Sequence, residues 1–170
     1  MAFLDVAPDP SRTFVIRTAH LDIEVRGTRL GVSGYAREPD AYVVVETGEV
    51  AVRALDGSRE TLLLRSGQVG RYRDDDGRVT RERVERLDPF LAWRDGRLVV
   101  RDEPLASVAR RLERRYGVAV AVQDSTLARR RITAALEDPA LEEVLDVISL
   151  ALDATYTRAD GAILIAPSEP

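Results

Sequence analysis

The chain has no cysteine, no lysine, and only one histidine and one tryptophan among its 170 residues. Without cysteine there can be no disulfide, no thiolate metal site and no cysteine nucleophile, and the redox compartment is left open. Without lysine, all 25 basic residues are arginine. A GC-rich coding sequence explains that bias most simply, and guanidinium recognition of phosphate is the alternative. Set against 29 acidic residues, the arginines leave a formal charge of −4, which provides no overall attraction to nucleic acid or an anionic membrane. No apolar run approaches the roughly 20 residues that cross a bilayer. Met1–Val6 also lacks the basic flank and apolar stretch of a signal peptide, so for an exported protein the targeting segment is expected outside this chain.

The scarcity extends to catalytic groups. A triad needs a partnered serine and carboxylate around its histidine, whereas His20 stands in "RTAHLDIEV", immediately before an alternating stretch, and reads as a turn residue. One histidine is too few for an ordinary zinc site. Counted as a calcium loop from Asp74, the run Asp74-Asp75-Asp76 places Glu85 twelfth but Val79 sixth, where the turn needs glycine. "RDDDGR" is therefore read as a solvated turn closed by Gly77. Gly27-Thr28 and Gly31-Val32-Ser33-Gly34 match neither the phosphate-loop nor the dinucleotide pattern. Neighbouring carboxylates such as Glu142-Glu143 diverge by about 100° on a helix and cannot face one substrate atom. No enzyme, cofactor or metal is expected.

What is present is two kinds of periodicity. Residues 13 to 84 read as closely spaced strands. Leu21, Ile23 and Val25 alternate with Asp22, Glu24 and Arg26, the period of a strand with one buried face. Thr47-Gly48 and Asp56-Gly57 stand between apolar runs as hairpin turns, and Gly67, Gly70 and Gly77 punctuate the remainder. This part is expected to be all-β and antiparallel, sandwich- or solenoid-like.

The pattern changes near Asp88-Pro89. Leu105, Val108, Ala109, Leu112 and Tyr116 share one helical face, with Asp102 and Glu103 as cap and first-turn acids, Pro104 in the opening turn and Gly117 just past the end. Val118–Val122 reads as a strand. A second unit repeats the order: a strand at Arg131–Leu136, a helical face of Leu141, Val144, Leu145, Ile148 and Leu152, then a hairpin about Asp160-Gly161. This half is expected to be α+β, with βαβ-like and βαββ units packing two helices on a small sheet. Two small cores are expected, not one.

Charge divides between the helices. The first carries Arg110, Arg111, Arg114 and Arg115 against Glu113, and Arg129–Arg131 follow; the second carries Glu142, Glu143 and Asp146 without compensation. Such faces either keep the surface solvated or steer docking. No base-stacking aromatics are interleaved with the arginines, so nucleic acid is not expected as a partner. Leu98, Leu105 and Leu112 fall seven apart, but Pro104 and the strand containing Leu98 interrupt any zipper, and core packing is the expected role.

"VRGTRLGV", "YVVVETGEVAV", "LLLRSGQVGRY", "WRDGRLVVRDEPLASVARRLERRYGVAV" and "RRITAALEDPALEEVLDVISLALDATYTRADGAILI" occur in an order and spacing that resemble the periplasmic region of the FecR family of anti-sigma regulators, over about residues 13 to 166. The resemblance implies a FecR-type β-rich domain at 13–90 and an STN-like signalling domain, of the secretin-and-TonB N-terminal type, at 92–166. It also implies a place in a single-pass inner-membrane protein. There the partner is the N-terminal signalling domain of a TonB-dependent outer-membrane receptor, probed during cell-surface signalling in iron or siderophore uptake, and an extracytoplasmic-function sigma factor is held through a segment absent here. By position, Val99, Val100, Leu105, Val108 and Leu112 match the family's strand-and-helix segment for receptor contact, with Arg110 and Arg114 as the steering charges. Trp93 matches the aromatic at the subdomain junction. The alternative is a structural assembly domain, because STN-like folds also pack into rings in secretins.

Overall fold

The computed structural model describes residues 1–36, 38–55, 60–159 and 161–168. They form two compact units, Met1–Leu91 and Ala92–Pro170. The architecture is the mixed, β-rich one the sequence implies.

The first unit is built from nine strands: β1 Ala2–Val6, β2 Phe14–Arg17, β3 Leu21–Val25, β4 Thr28–Ser33, β5 Asp40–Thr47, β6 Glu49–Ala54, β7 Thr61–Arg65, β8 Gln68–Arg73 and β9 Arg78–Arg83. They make two antiparallel sheets, β1-β4-β5-β8-β9 and β2-β3-β6-β7. The core is filled by the inward members of each alternation, including Leu21, Ile23, Leu30, Val43, Val52 and Leu64. On the five-stranded sheet, Val44 and Val69 pack with Leu91 of the short helix α1, Asp88–Leu91, supported by Phe3, Leu87 and Phe90.

Thr47-Gly48, expected as a hairpin, is not one. β5 pairs with β4 and β8, and β6 pairs with β3 and β7, so the chain changes sheets at Gly48. The same happens between β3 and β4 at Gly27 and between β7 and β8 at Gly67. Gly27, Gly48 and Gly67 all have positive φ, 65°, 95° and 76° respectively, which a Cβ disfavours. The corners are also tied to one another. The buried Thr28 hydroxyl donates to Glu49 O (2.7 Å), Ser66 N donates to Gly48 O (3.1 Å), Gly48 N donates to Ser66 Oγ (3.0 Å) and Gly67 N donates to Val45 O (2.9 Å). A glycine between two apolar runs looks the same in sequence whether the chain folds back into one sheet or crosses to the next. The expected turn at Asp56-Gly57 lies outside the described residues. Gly70 is no turn: it lies within β8, where a Cβ would stand 2.6 Å from Leu64 Cδ1.

The outer face of β2-β3-β6 carries a cross-strand row in which Asp22 sits opposite both Arg17 and Arg53. Asp22 is 7% exposed, and its carboxylate accepts from Arg17 Nε (2.7 Å) and Arg53 Nη2 (2.8 Å). Arg17's hydrogen bond is the main cause that holds its pKa below the ordinary carboxylate value. A folded pKa below the unfolded one means that Asp22's contribution is fully present above about pH 4 and is lost as pH falls further toward the folded pKa. Asp22→Asn is therefore expected to lower the melting temperature at neutral pH and to flatten its decline as pH falls below about 4. Melting curves of both proteins across that range check it, and parallel declines would show that Asp22 is not coupled to folding.

In the second unit the elements are β10 Leu98–Pro104, α2 Leu105–Tyr116, β11 Ala119–Val122, α3 Ser125–Arg129, β12 Arg131–Leu136, α4 Leu141–Leu152, β13 Ala154–Ala159 and β14 Ala162–Pro167. One small sheet was expected, and there are two. The leading strands of the two repeats, β10 and β12, pair antiparallel, and the trailing strands form a β11-β14-β13 sheet in which β11 and β14 run parallel. The repeats thus interleave, and both helices bury their apolar faces in one core, α2 through Leu105, Val108 and Leu112 and α4 through Val144, Leu145 and Ile148. Leu98, Leu105 and Leu112 all lie in that core.

Helix α2 ends as expected, with Gly117 at φ 66° and its N–H on Glu113 O. Its start differs from expectation. β10 continues to Pro104, Asp102 takes φ 48° in a bulge, and no side chain caps the helix; Leu105 N instead donates to Arg130 O at 2.9 Å. β1 and α3 had no clear signal in the sequence. The turn between β13 and β14 falls partly outside the described residues, at Asp160.

Candidate interaction surface

The segment singled out in the sequence is β10 with α2. Its apolar members are core: Val99 is 7% exposed, Val100 2%, Leu105 0%, Val108 1% and Leu112 0%. They cannot meet a partner directly while the unit is folded, and what they do is fix the position of the helix carrying the arginines.

Those arginines divide into two pairs. Arg111 is drawn inward, donating to Val99 O (2.7 Å) and Glu103 Oε1 (3.0 Å), and Arg115 donates to Gly96 O and to Asp138 Oδ1 (3.4 Å). Their side chains are only 18% and 21% exposed. They join the helix to the turns and strand beneath it. Of the other pair, Arg110 is half-buried with Nη2 on Ser107 Oγ (3.1 Å), and Arg114 is exposed. Glu113 also turns inward, its Oε1 accepting from Val120 N at 3.0 Å. Sequence spacing groups all four arginines as one basic face; the fold uses two of them as structural ties, because strand carbonyls and a turn carboxylate lie within guanidinium reach.

The acidic helix α4 is compensated, contrary to the expectation from its own sequence. Glu142 pairs with Arg158 of β13 at 2.9 Å, and Tyr156 donates its hydroxyl to Asp146 Oδ1 at 3.0 Å. That hydrogen bond raises the Tyr156 pKa above the ordinary phenol value. The compensating groups come from the adjacent hairpin, which helix-face counting does not see. Leu150, 89% exposed, is the one large apolar side chain on the solvent side of this helix.

Trp93 lies half-buried in the single 3-10 turn Ala92–Asp95 that opens the second unit. His20, between β2 and β3, places Nε2 2.8 Å from Glu38 O and 3.2 Å from Tyr35 O and stacks on Tyr72 with ring centroids 5.1 Å apart. Its ring holds a loop together, the work of a turn residue. The Asp74–Asp76 run makes the β8–β9 turn, closed by Gly77 N on Arg73 O. Among the described residues no helix is long and apolar enough to cross a membrane.

Comparison with known proteins agrees with this arrangement. Residues 1–51 match the model of the FecR protein family and residues 97–165 match that of the FecR C-terminal region, together more than half of the chain. No curated protein matches the chain. Two crystal structures of a protein assigned as an anti-sigma factor from Parabacteroides distasonis share its fold. The first has a TM-score of 0.88 at 23% identity, covering 98% of this chain and 77% of that one. The second has a TM-score of 0.87 at 23% identity, covering 98% and 76%. The C-terminal match spans the interleaved repeat almost end to end and the N-terminal match begins on β1, so the chain belongs to the FecR family of non-enzymatic anti-sigma regulators.

Proposed function

We propose that this chain is the periplasmic, signal-receiving region of a single-pass inner-membrane anti-sigma regulator. It binds the N-terminal signalling domain of a TonB-dependent outer-membrane receptor and so controls an extracytoplasmic-function sigma factor, in a system serving iron or siderophore uptake. The sigma factor is contacted through a segment outside these residues. The observation that carries the reading is the match of residues 97–165 to the FecR C-terminal model; in this reading that segment acts as an STN-like signalling domain, preceded by the β-rich FecR-type domain and by the turn that holds Trp93. Within it, Arg110 and Arg114 supply the outward charge, and Val99, Val100, Leu105, Val108 and Leu112 hold the helix that presents them.

Titration calorimetry of the chain against the isolated signalling domain of the TonB-dependent receptor encoded nearest to it is expected to give saturable one-to-one binding. Absence of heat at several temperatures, with both proteins folded, would overturn the reading. Exposed charges at an interface act mainly on the association rate. Reversal of both Arg110 and Arg114 to Glu is therefore expected to slow association about tenfold at low salt, an effect that shrinks as the Debye length falls to about 3 Å in 1 M salt. Unchanged association rates at low salt would remove these two residues from the contact.

A further inference from the structure

Small sheets have edges, and the fold closes several of its own. α2 plugs two of them: Arg111 occupies Val99 O on the outer side of β10, and Glu113 occupies Val120 N on the outer side of β11. In the first unit Arg81 reaches Leu63 O on β7, and β9 is charged at four of its six positions. Charge and side-chain plugs of this kind are how sheets discourage unwanted pairing.

β12 has no such cover. Val99 gives its carbonyl to Arg111, away from β12, so the opposed pair Val99 and Ala135 is a non-hydrogen-bonded one and Ala135 also points its N–H and C=O outward. The even-numbered residues face β10, as Arg130 O does in accepting from Leu105 N. Arg131, Thr133 and Ala135 therefore present the outward backbone groups, and among the described residues no backbone hydrogen bond reaches them. All three, and Glu137 just beyond, are exposed, while Ile132 is buried and Ala134 and Leu136 half-buried on the other face.

We propose that the outer edge of β12 pairs antiparallel with the same edge of a second copy of this chain, giving a four-stranded sheet β10-β12-β12-β10 across a two-fold axis at Ala134. The sequence of the edge is self-complementary in that register. Arg131 meets the other copy's Glu137, Ile132 meets Leu136, Thr133 meets Ala135, and Ala134 meets itself. Charge faces opposite charge at both ends, apolar faces apolar on the core side, and the odd-numbered residues form the hydrogen-bonded pairs. Arg131 is 54% exposed while paired to Asp102 at 2.9 Å, so its guanidinium retains open donors for a carboxylate of the second copy. β13, a further outer strand of this unit, exposes Thr155, Thr157 and Arg158 and has no acid in the strand to fix such a register.

An edge of six residues is about 20 Å long and buries far less than the roughly 1,200 Å² of a standard interface, so the dimer is a weak one. Sedimentation velocity of the full chain from about 10 µM to about 1 mM, a range that spans weak affinities, is expected to show a reversible monomer–dimer equilibrium. Ala135→Pro removes an outward N–H without touching the ladder to β10 and is expected to abolish the dimer while circular dichroism stays unchanged.

Two charge variants give a test that does not depend on proline. Glu137→Arg places Arg against Arg in both pairs and Arg131→Glu places Glu against Glu, so each alone is expected to be monomeric. Their equimolar mixture restores both opposite pairs and is expected to form a heterodimer. A wild-type chain that stays monomeric across the range overturns the proposal. So does a dimer that survives Ala135→Pro, or a charge-variant mixture that stays monomeric while wild type dimerises. Loss of receptor-domain binding in Ala135→Pro, with no wild-type dimer, would assign the edge to a heterologous strand and overturn self-pairing, while leaving the receptor reading intact.

Discussion

Leu112→Asp is expected to abolish the cooperative fold of the second unit while the first keeps its own. Leu112 is fully buried on α2, in a core that joins both helices to strands of both small sheets. None of the residues in that core belongs to the core of the first unit. Replacing the isobutyl group removes about 2–3 kcal/mol of apolar burial, and a carboxylate in its place must either lose its hydration or take up a proton, each costing several kcal/mol more. A single small unit has about 5–10 kcal/mol to lose, so the two terms together exhaust its stability.

The chain's only tryptophan lies in the second unit, which gives a convenient readout. Trp93 emission in the variant is expected at the wavelength of the unfolded chain before any denaturant is added, while far-UV circular dichroism keeps the β signal of the first unit. Leu112→Ala is the control that separates core from contact. It is expected to cost about 2–5 kcal/mol, leave the unit folded, and bind the receptor domain as wild type does. Native emission in Leu112→Asp would mean that the side chain is not in the core.

The helical half was legible in the sequence because its spacing leaves little choice. Five apolar positions on one face of each helix, with Gly117 closing the first, specify where the helices run and what they bury. Pairing was less legible, since the period of a strand says which face is buried and nothing about its neighbour. Two βαβ-like units in tandem could have made one sheet, and the actual exchange of leading and trailing strands depends on contacts between residues far apart in the chain. The same limit explains the arginines. Arg110 and Arg111 are adjacent and chemically identical, and only the nearness of Val99 O and Glu103 makes one a structural tie and the other an outward charge. Glu142 and Asp146 looked uncompensated because their partners, Arg158 and Tyr156, belong to the hairpin that follows.

The stacked corners of the first unit lead to the second large effect. Gly48→Ala is expected to destabilise that unit by about 3 kcal/mol or more, of which 1–3 kcal/mol is the cost of positive φ for a residue with a Cβ. The rest is steric. At φ 95° an added Cβ stands 2.7 Å from Gly27 O, 2.8 Å from Thr28 Oγ1 and 3.0 Å from Thr28 Cα. Two of those three atoms are backbone of the neighbouring corner, and the third is a buried hydroxyl bonded to Glu49 O, so none can withdraw without breaking the ladder of hydrogen bonds between corners. Gly67→Ala makes the comparison specific. Its φ of 76° is also positive, but nothing lies within 4 Å of the added atom, so only the conformational cost is expected, about 1 kcal/mol at the low end of the left-handed penalty.

In a domain of this size each kcal/mol moves the melting temperature by about 4–8 °C. Calorimetric melts should therefore place Gly48→Ala at least about 10 °C below wild type and Gly67→Ala nearer to about 5 °C below. Equal shifts would show that the corners are strained independently and that the contact between Gly48 and Gly27 carries no weight. Unequal shifts in the expected order would show that the sheet-switching turns, which resemble ordinary hairpin turns in the sequence, hold the two sheets together as a set.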